Sequence, residues 1–253
     1  KALEQDPNQY RALNNLGLTL EDLGEPVSAL NMYQRAMAAR PDYPEPIHNI
    51  ARLLGVLGEW QAALETIDKL AQMDSENGQV QAGRGTALAR LDRMAEAEAA
   101  FDQALVLSPG SVDTLFRRAT ALCDHDRPDD AYDILRSAIN IAPDNADLHS
   151  LCAFALMRLG RMEEALLHLD QALLADPDNA DDWANRAEAL SYLGRHELAL
   201  DAYNQALTHN PLHFDARYGR ATTRLKRARF TGGWRDYLAR PAMRAEMPEV
   251  TRT

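Results

Sequence analysis

Residues 180–213 show how apolar and polar positions alternate along this chain. Trp183, Ala187 and Leu190 fall at i, i+4 and i+7, one face of a helix, with polar and charged residues between them. Gly194 interrupts that stripe and suits a tight turn. Ala199, Tyr203 and Ala206 form the stripe of a second helix, and Pro211 follows where a helix cannot run on. The spacing predicts a helical hairpin. Small residues at 187 and 199 let the two helices close up, and Trp183 and Tyr203 fill the remaining space. One such hairpin cannot bury its stripe alone, so neighbouring hairpins must stack.

The same arrangement recurs every 34 residues. Pro7, Pro41, Pro109, Pro143, Pro177 and Pro211 keep that period, with Ser75 in the vacant slot. A small residue keeps it at Gly17, Ala51, Gly85, Ala119, Ala153, Ala187 and Ala221, and a second at Ala29, Ala63, Ala97, Ala131, Ala165 and Ala199. A bulky residue follows at Tyr33, Ile67, Phe101, Leu135, Leu169 and Tyr203. Four series in register mark an internal repeat. The frame places repeats at 10–43, 44–77, 78–111, 112–145, 146–179 and 180–213, and a degenerate seventh repeat or C-terminal cap at 214–247. Residues 248–253 read as the start of a linker. Residues 1–9 align with the end of a repeat, so the chain is expected to be a piece of a longer polypeptide, beginning inside a truncated upstream repeat. Pro44 and Pro46 open one first helix, where proline is tolerated. Asp92 and Asp126 stand at the hairpin turn where other repeats have glycine, and Asp also suits a turn.

Composition agrees with an all-α chain. Among 253 residues there are 36 Leu but only six Val and six Ile, too few β-branched aliphatics for a sheet protein. No apolar run approaches the ~18 residues of a membrane span, and no secretory signal opens the chain. Two cysteines, Cys123 and Cys152, exclude a disulfide scaffold and a Cys-rich zinc site, which points to a reducing, cytoplasmic setting. The net charge of −11 is uneven. Residues 1–213 hold 17 Lys and Arg against 34 Asp and Glu, whereas residues 214–253 hold 10 against 4. An acidic body argues against nucleic-acid binding, which needs phosphate neutralisation over a broad face. Neither nucleic acid nor membrane is an expected partner.

The series Trp183, Ala187, Leu190, Gly194, Ala199, Tyr203, Ala206, Pro211 closely resembles the signature of the tetratricopeptide repeat (TPR), as do Leu13, Leu16, Gly17, Leu20, Gly24, Ala29, Tyr33, Ala36 and Pro41. The resemblance covers almost the whole chain. It implies a right-handed TPR superhelix, an α-solenoid of about seven helix–turn–helix repeats, that binds a protein or peptide and does no catalysis itself. Near the C-terminus, Phe230, Gly233, Trp234, Tyr237 and Arg240 look like the last repeat of bacterial TPR proteins that continue into a glycosyltransferase-type domain. That likeness implies a bacterial parent in which the array presents a protein substrate to an attached transferase. The alternative is a stand-alone scaffold or adaptor. A weaker option is self-association through the N-terminal end.

In TPR arrays the first helices line the ligand-binding face. By that inference the groove collects Asn15, Asn49, Arg52, Arg90, Phe116, Arg117, Leu151, Phe154, Met157, Arg158, Asn185, Tyr192 and Tyr218, with His48, Thr86 and Cys123 alongside, and Ala82 and Gly83 leaving room. Asn14 falls on the same face. Exposed aromatics and Met suit peptide recognition. The arginines form a basic stripe able to hold carboxylates or carbonyls. Asn15, Asn49 and Asn185 recur at one place, where the family uses an amide to grip a peptide backbone. Gly83, Arg117, Leu151 and Gly219 interrupt that series. The residues of the family's carboxylate clamp are not found.

Motifs for chemistry are lacking. Gly83-Arg84-Gly85 has no third glycine and lies within a predicted helix. His196-Glu197 has no second His at metalloprotease spacing. Asp124, Asp126, Asp129 and Asp130 lack the glycine of a calcium loop. His149 occupies the place of Trp183 in its own repeat and reads as a packing residue. Cys152 reads as buried and inert, and Cys123 as accessible from the groove. No cofactor or metal is expected.

Overall fold

In a computed structural model of the chain, residues 9–226 are described. They form thirteen α-helices and no strand. α1 (Gln9–Asp22), α2 (Pro26–Ala39), α3 (Pro44–Val56), α4 (Trp60–Met73), α5 (Gly78–Arg90), α6 (Met94–Leu107) and α7 (Val112–Asp124) are followed by α8 (Pro128–Ile141), α9 (Ala146–Arg158), α10 (Met162–Ala175), α11 (Ala180–Tyr192), α12 (His196–His209) and α13 (Phe214–Lys226). The helices divide into two units, Lys1–Ala121 and Leu122–Thr253, the division falling within α7. Within the first, α1 packs on α2, α3 on α4 and α5 on α6; within the second, α9 packs on α10 and α11 on α12. The expected seventh repeat or C-terminal cap lies outside the described residues beyond Lys226, as do Lys1–Asn8 and the linker.

Each hairpin turns at one backbone position with φ > 0: Gly24, Gly58, Asp92, Asp126, Gly160 and Gly194, at φ of 58–79°. The residue after it returns its N–H to a carbonyl five residues back, as in Glu25 to Leu20, Arg93 to Leu88 and Arg161 to Leu156, which caps the preceding helix. Asp tolerates this left-handed conformation better than most residues with a Cβ. Helix starts are satisfied by a further 34-residue series. The Asn77 side chain accepts from Gln79 and Val80, Ser111 from Thr114, Asn145 from Leu148, and Asn179 from Asp181 and Asp182.

The core of the first unit joins Ile47, Ala51, Leu64, Ile67, Leu70, Val80, Leu88 and Phe101, beside a smaller cluster of Ala29, Tyr33, Ile50 and Leu53. In the second, Ala187, Leu190, Ala199, Tyr203, Ala206 and Ala216 pack together. Arginines on first helices reach back sixteen residues to the preceding helix: Arg84 to Asp68, Arg118 to Asp102 and Arg186 to Asp170, at 2.7–2.9 Å. Such exposed pairs add little stability singly, but they fix the register of one hairpin on the next.

Candidate peptide-binding cleft

The first helices of the N-terminal unit leave a cleft of about 700 Å³. It is walled by α3, α4 and α5, with Asp113 and Arg117 from the start of α7. Its floor is apolar: Ile67, Leu70 and Val80 are at most 8% exposed and belong to the core. Two glycines hold it open. A Cβ at Gly83 would meet only Ile67 Cδ1, at 3.8 Å. At Gly55 a Cβ would press on the Trp60 ring at 3.0 Å, so the absence of a side chain lets the indole lie against α3. The rim is polar, with His48, Asn49, Arg52, Gln79, Thr86, Arg90 and Arg117.

Several rim groups are held in place. Arg52 Nη2 donates to Glu21 at 2.7 Å, and the Tyr33 hydroxyl donates to the same carboxylate. Burial and that carboxylate hold the Tyr33 phenol well above its usual pKa. Arg117 Nε donates to Asp113 at 2.7 Å. The Arg90 guanidinium stands 5.5 Å from the Trp60 ring centre, a cation–π distance. Burial pushes His48 below the usual imidazole pKa, against the opposing pull of Glu45 and Asp74. These contacts pre-set the arginine side chains, which lowers the ordering cost of a bound ligand.

Of the residues expected on the groove, Asn49, Arg52, Arg90 and Arg117 line this cleft together, with His48, Thr86 and Gly83. Asn15 is exposed on α1 and Phe116 half-buried on α7, and neither belongs to the lining. Leu151, Phe154, Met157, Arg158, Asn185, Tyr192 and Tyr218 lie in the C-terminal unit. There Arg158 donates to Asp126 at 2.6 Å and stands 5.8 Å from the Phe154 ring. Met157 packs partly into the core, Leu151 and Asn185 are half-buried, and Tyr218 stacks on Phe214. Tyr192 is 71% exposed.

Three expectations need correction. Cys123 is not accessible: it is 3% exposed, and burial beside Asp124 pushes its thiol up to about 11. Asn14 is 6% exposed and accepts a 2.9 Å bond from Asn49 Nδ2, so that Asn49 N–H is turned inward and not toward a ligand backbone. Ala82 is 1% exposed and lines nothing; the room comes from Gly83 and Gly55. The basic stripe is also less bare than the sequence suggests, because Arg52, Arg117 and Arg158 each carry a carboxylate partner within the chain. Trp60 was missed because it opens a second helix, whereas the groove was read from first helices. The signal available was Gly55, five residues before a large ring.

The remaining reactive side chains are packed. Burial pushes the Cys152 thiol up to about 12. His149 is 7% exposed, with Nε2 2.8 Å from the Pro143 carbonyl and Nδ1 2.9 Å from His168 Nδ1. A carbonyl only accepts, so His149 carries a proton on Nε2. No group of three metal-ligating side chains gathers among the described residues. No described helix is long and apolar enough to cross a membrane.

Family models described as tetratricopeptide repeat match residues 1–31, 48–112, 122–189 and 180–212. The chain is a tetratricopeptide-repeat protein. No curated protein matches it significantly. Solved structures do. YrrB, described as a TPR protein with an unusual peptide-binding site, is 24% identical over 73% of this chain and 95% of its own, with a TM-score of 0.54. PilW, a type IV pilus biogenesis factor, is 17% identical over 84% of this chain and 98% of its own, at 0.73. A tetratricopeptide repeat protein from Parabacteroides merdae is 16% identical over 92% of this chain and 93% of its own, at 0.69. At these identities the likeness shows the shared TPR fold.

Proposed function

We propose that this TPR chain is a peptide- and protein-binding module, and that the cleft of its N-terminal unit takes an extended segment of a partner protein. One observation carries the reading: an open cleft with an apolar floor and a rim of arginine, asparagine and histidine carried by first helices. Concave sites of this kind, mostly apolar with a few placed polar groups, are the usual form of a ligand site. The peptide-binding site named for YrrB is consistent with it. A photo-crosslinking residue at Val56, an exposed rim position on α3, should capture a discrete partner in cells of the source organism. The same residue at Leu174, exposed on α10, should not. Equal capture from both positions, or capture only from 174, would overturn the assignment.

A finer reading is that the array recruits a protein substrate to an attached glycosyltransferase. Its support is the Phe230–Arg240 stretch, which lies outside the described residues. It requires a transferase sequence beyond Thr253 and sugar on the captured partner. Absence of both would leave the scaffold or adaptor.

A further inference from the structure

We propose that the cleft reads a bulky apolar side chain, aromatic or large aliphatic, flanked by acidic residues in an extended segment of the partner. The inference rests on the assignment of the cleft as a peptide site and adds the chemistry of its ligand. Two independent features carry it.

The first is shape. Asn15 and Asn49 mark one place in the repeat, and the next first helix has Gly83 there. The missing side chain opens a path down to Ile67, with Leu70 and Val80 around it and Trp60 as a side wall. A single side chain of partner can enter there and be desolvated on several sides. The volume of about 700 Å³ exceeds what one ring needs and leaves space for the flanking backbone.

The second is charge. Over residues 1–213 acidic side chains outnumber basic ones two to one, yet the cleft lining carries Arg52, Arg90 and Arg117 against Asp113 alone. Internal carboxylates take only part of the Arg52 and Arg117 forks. Arg117 meets Asp113 through Nε only, and Arg52 meets Glu21 through Nη2 only. Arg117, on the cleft lining, keeps its Nη1 and Nη2 pair, the end-on face that can hold a second carboxylate bidentately. A basic segment would meet the same arginines and the acidic body beyond them would not compensate at contact distance, so the cleft selects acid.

The test is selection of peptides from a random surface-displayed library against the intact chain, followed by affinity measurement on the recovered peptides as synthetic fluorescent probes. The expected consensus is one Phe, Trp, Tyr, Leu or Met between Asp or Glu residues. Gly83→Leu, which fills the cleft on a helix that leucine favours, should weaken those peptides at least tenfold, with helicity and Tm retained. Arg117→Glu, at an exposed position, should weaken them tenfold and reduce the salt dependence; it carries the test if Gly83→Leu misfolds. A consensus of other chemistry that is still lost on Gly83→Leu overturns this proposal and leaves a peptide site. Peptides unaffected by either substitution, or no enrichment at all, overturn the peptide site itself.

Discussion

Gly17 faces Tyr33 and Gly85 faces Phe101, whereas Ala51, Ala119 and Ala153 are paired along the same frame with Ile67, Leu135 and Leu169. The small slot is sized to its partner. A Cβ at Gly85 would lie 2.7 Å from the Phe101 ring, which is fully buried and cannot move aside. Ala187 with Tyr203 breaks the rule, and Gly219 explains it, because a Cβ there would collide with the Tyr203 ring and hydroxyl. That ring has been accommodated by the following helix instead. Gly85→Ala should therefore destabilise the chain by about 1–3 kcal/mol, the usual cost of overpacking, although alanine is the commoner residue at this slot. Adding Phe101→Leu should restore part of the loss. Urea unfolding of the single and double variants checks this; additive losses would show that the two positions are not coupled. The slot series and the bulky series were legible in the sequence, while the pairing rule needed the geometry.

At the scale of elements, the helices and their turns were legible because the period imposes one hairpin pattern six times over. The turn place held through Asp92 and Asp126, both left-handed in the structure. The capping series Asn77, Ser111, Asn145 and Asn179 was in plain sight at the same spacing, but it lies between apolar stripes and a reading of apolar periodicity passes over it. The meeting of His149 with His168 was not read either: they are nineteen residues apart, on the two helices of one hairpin, and touch only once those helices pack. Burial, with His149 as neighbour, holds His168 below the ordinary imidazole value of 6.5, and burial does the same to His48. The unfolded chain takes up protons at that value and the folded chain only below it. Their contribution is thus complete above pH 6.5 and is lost as pH falls through that value toward the lower folded ones. Asp182, raised by burial, acts in the opposite sense, since its protonation on acidification relieves a penalty. Thermal unfolding from pH 7.5 to 5.5 should show a falling Tm, and a flatter curve in the variant carrying His48→Gln and His168→Gln. An identical slope in both would rule out the histidines.

For the whole molecule, the sequence announced a repeat protein, the resemblance to the family implied a ligand face, and the cleft in the N-terminal unit is the part of that face we propose as the site. Asn49, Arg52, Arg90 and Arg117, which line it, were nameable in advance because the positions repeat and the resemblance to the family implied a first-helix face. The floor and Trp60 were not, because a cavity is set by what is missing, here at Gly55 and Gly83, and periodicity registers residues that are present. The partner of Arg52 was equally hidden, since Glu21 lies on α1 and Arg52 on α3, the first helices of successive repeats. Trp60 also supplies the sharpest probe of the central claim. The partner segment captured from position 56, made as a synthetic peptide, should be titrated into ¹⁵N-labelled protein while the indole N–H resonances are followed. The account predicts a saturable shift of the Trp60 resonance with Trp183, in the C-terminal unit, unmoved. A shift at Trp183 with Trp60 unchanged would place the binding site elsewhere and contradict it.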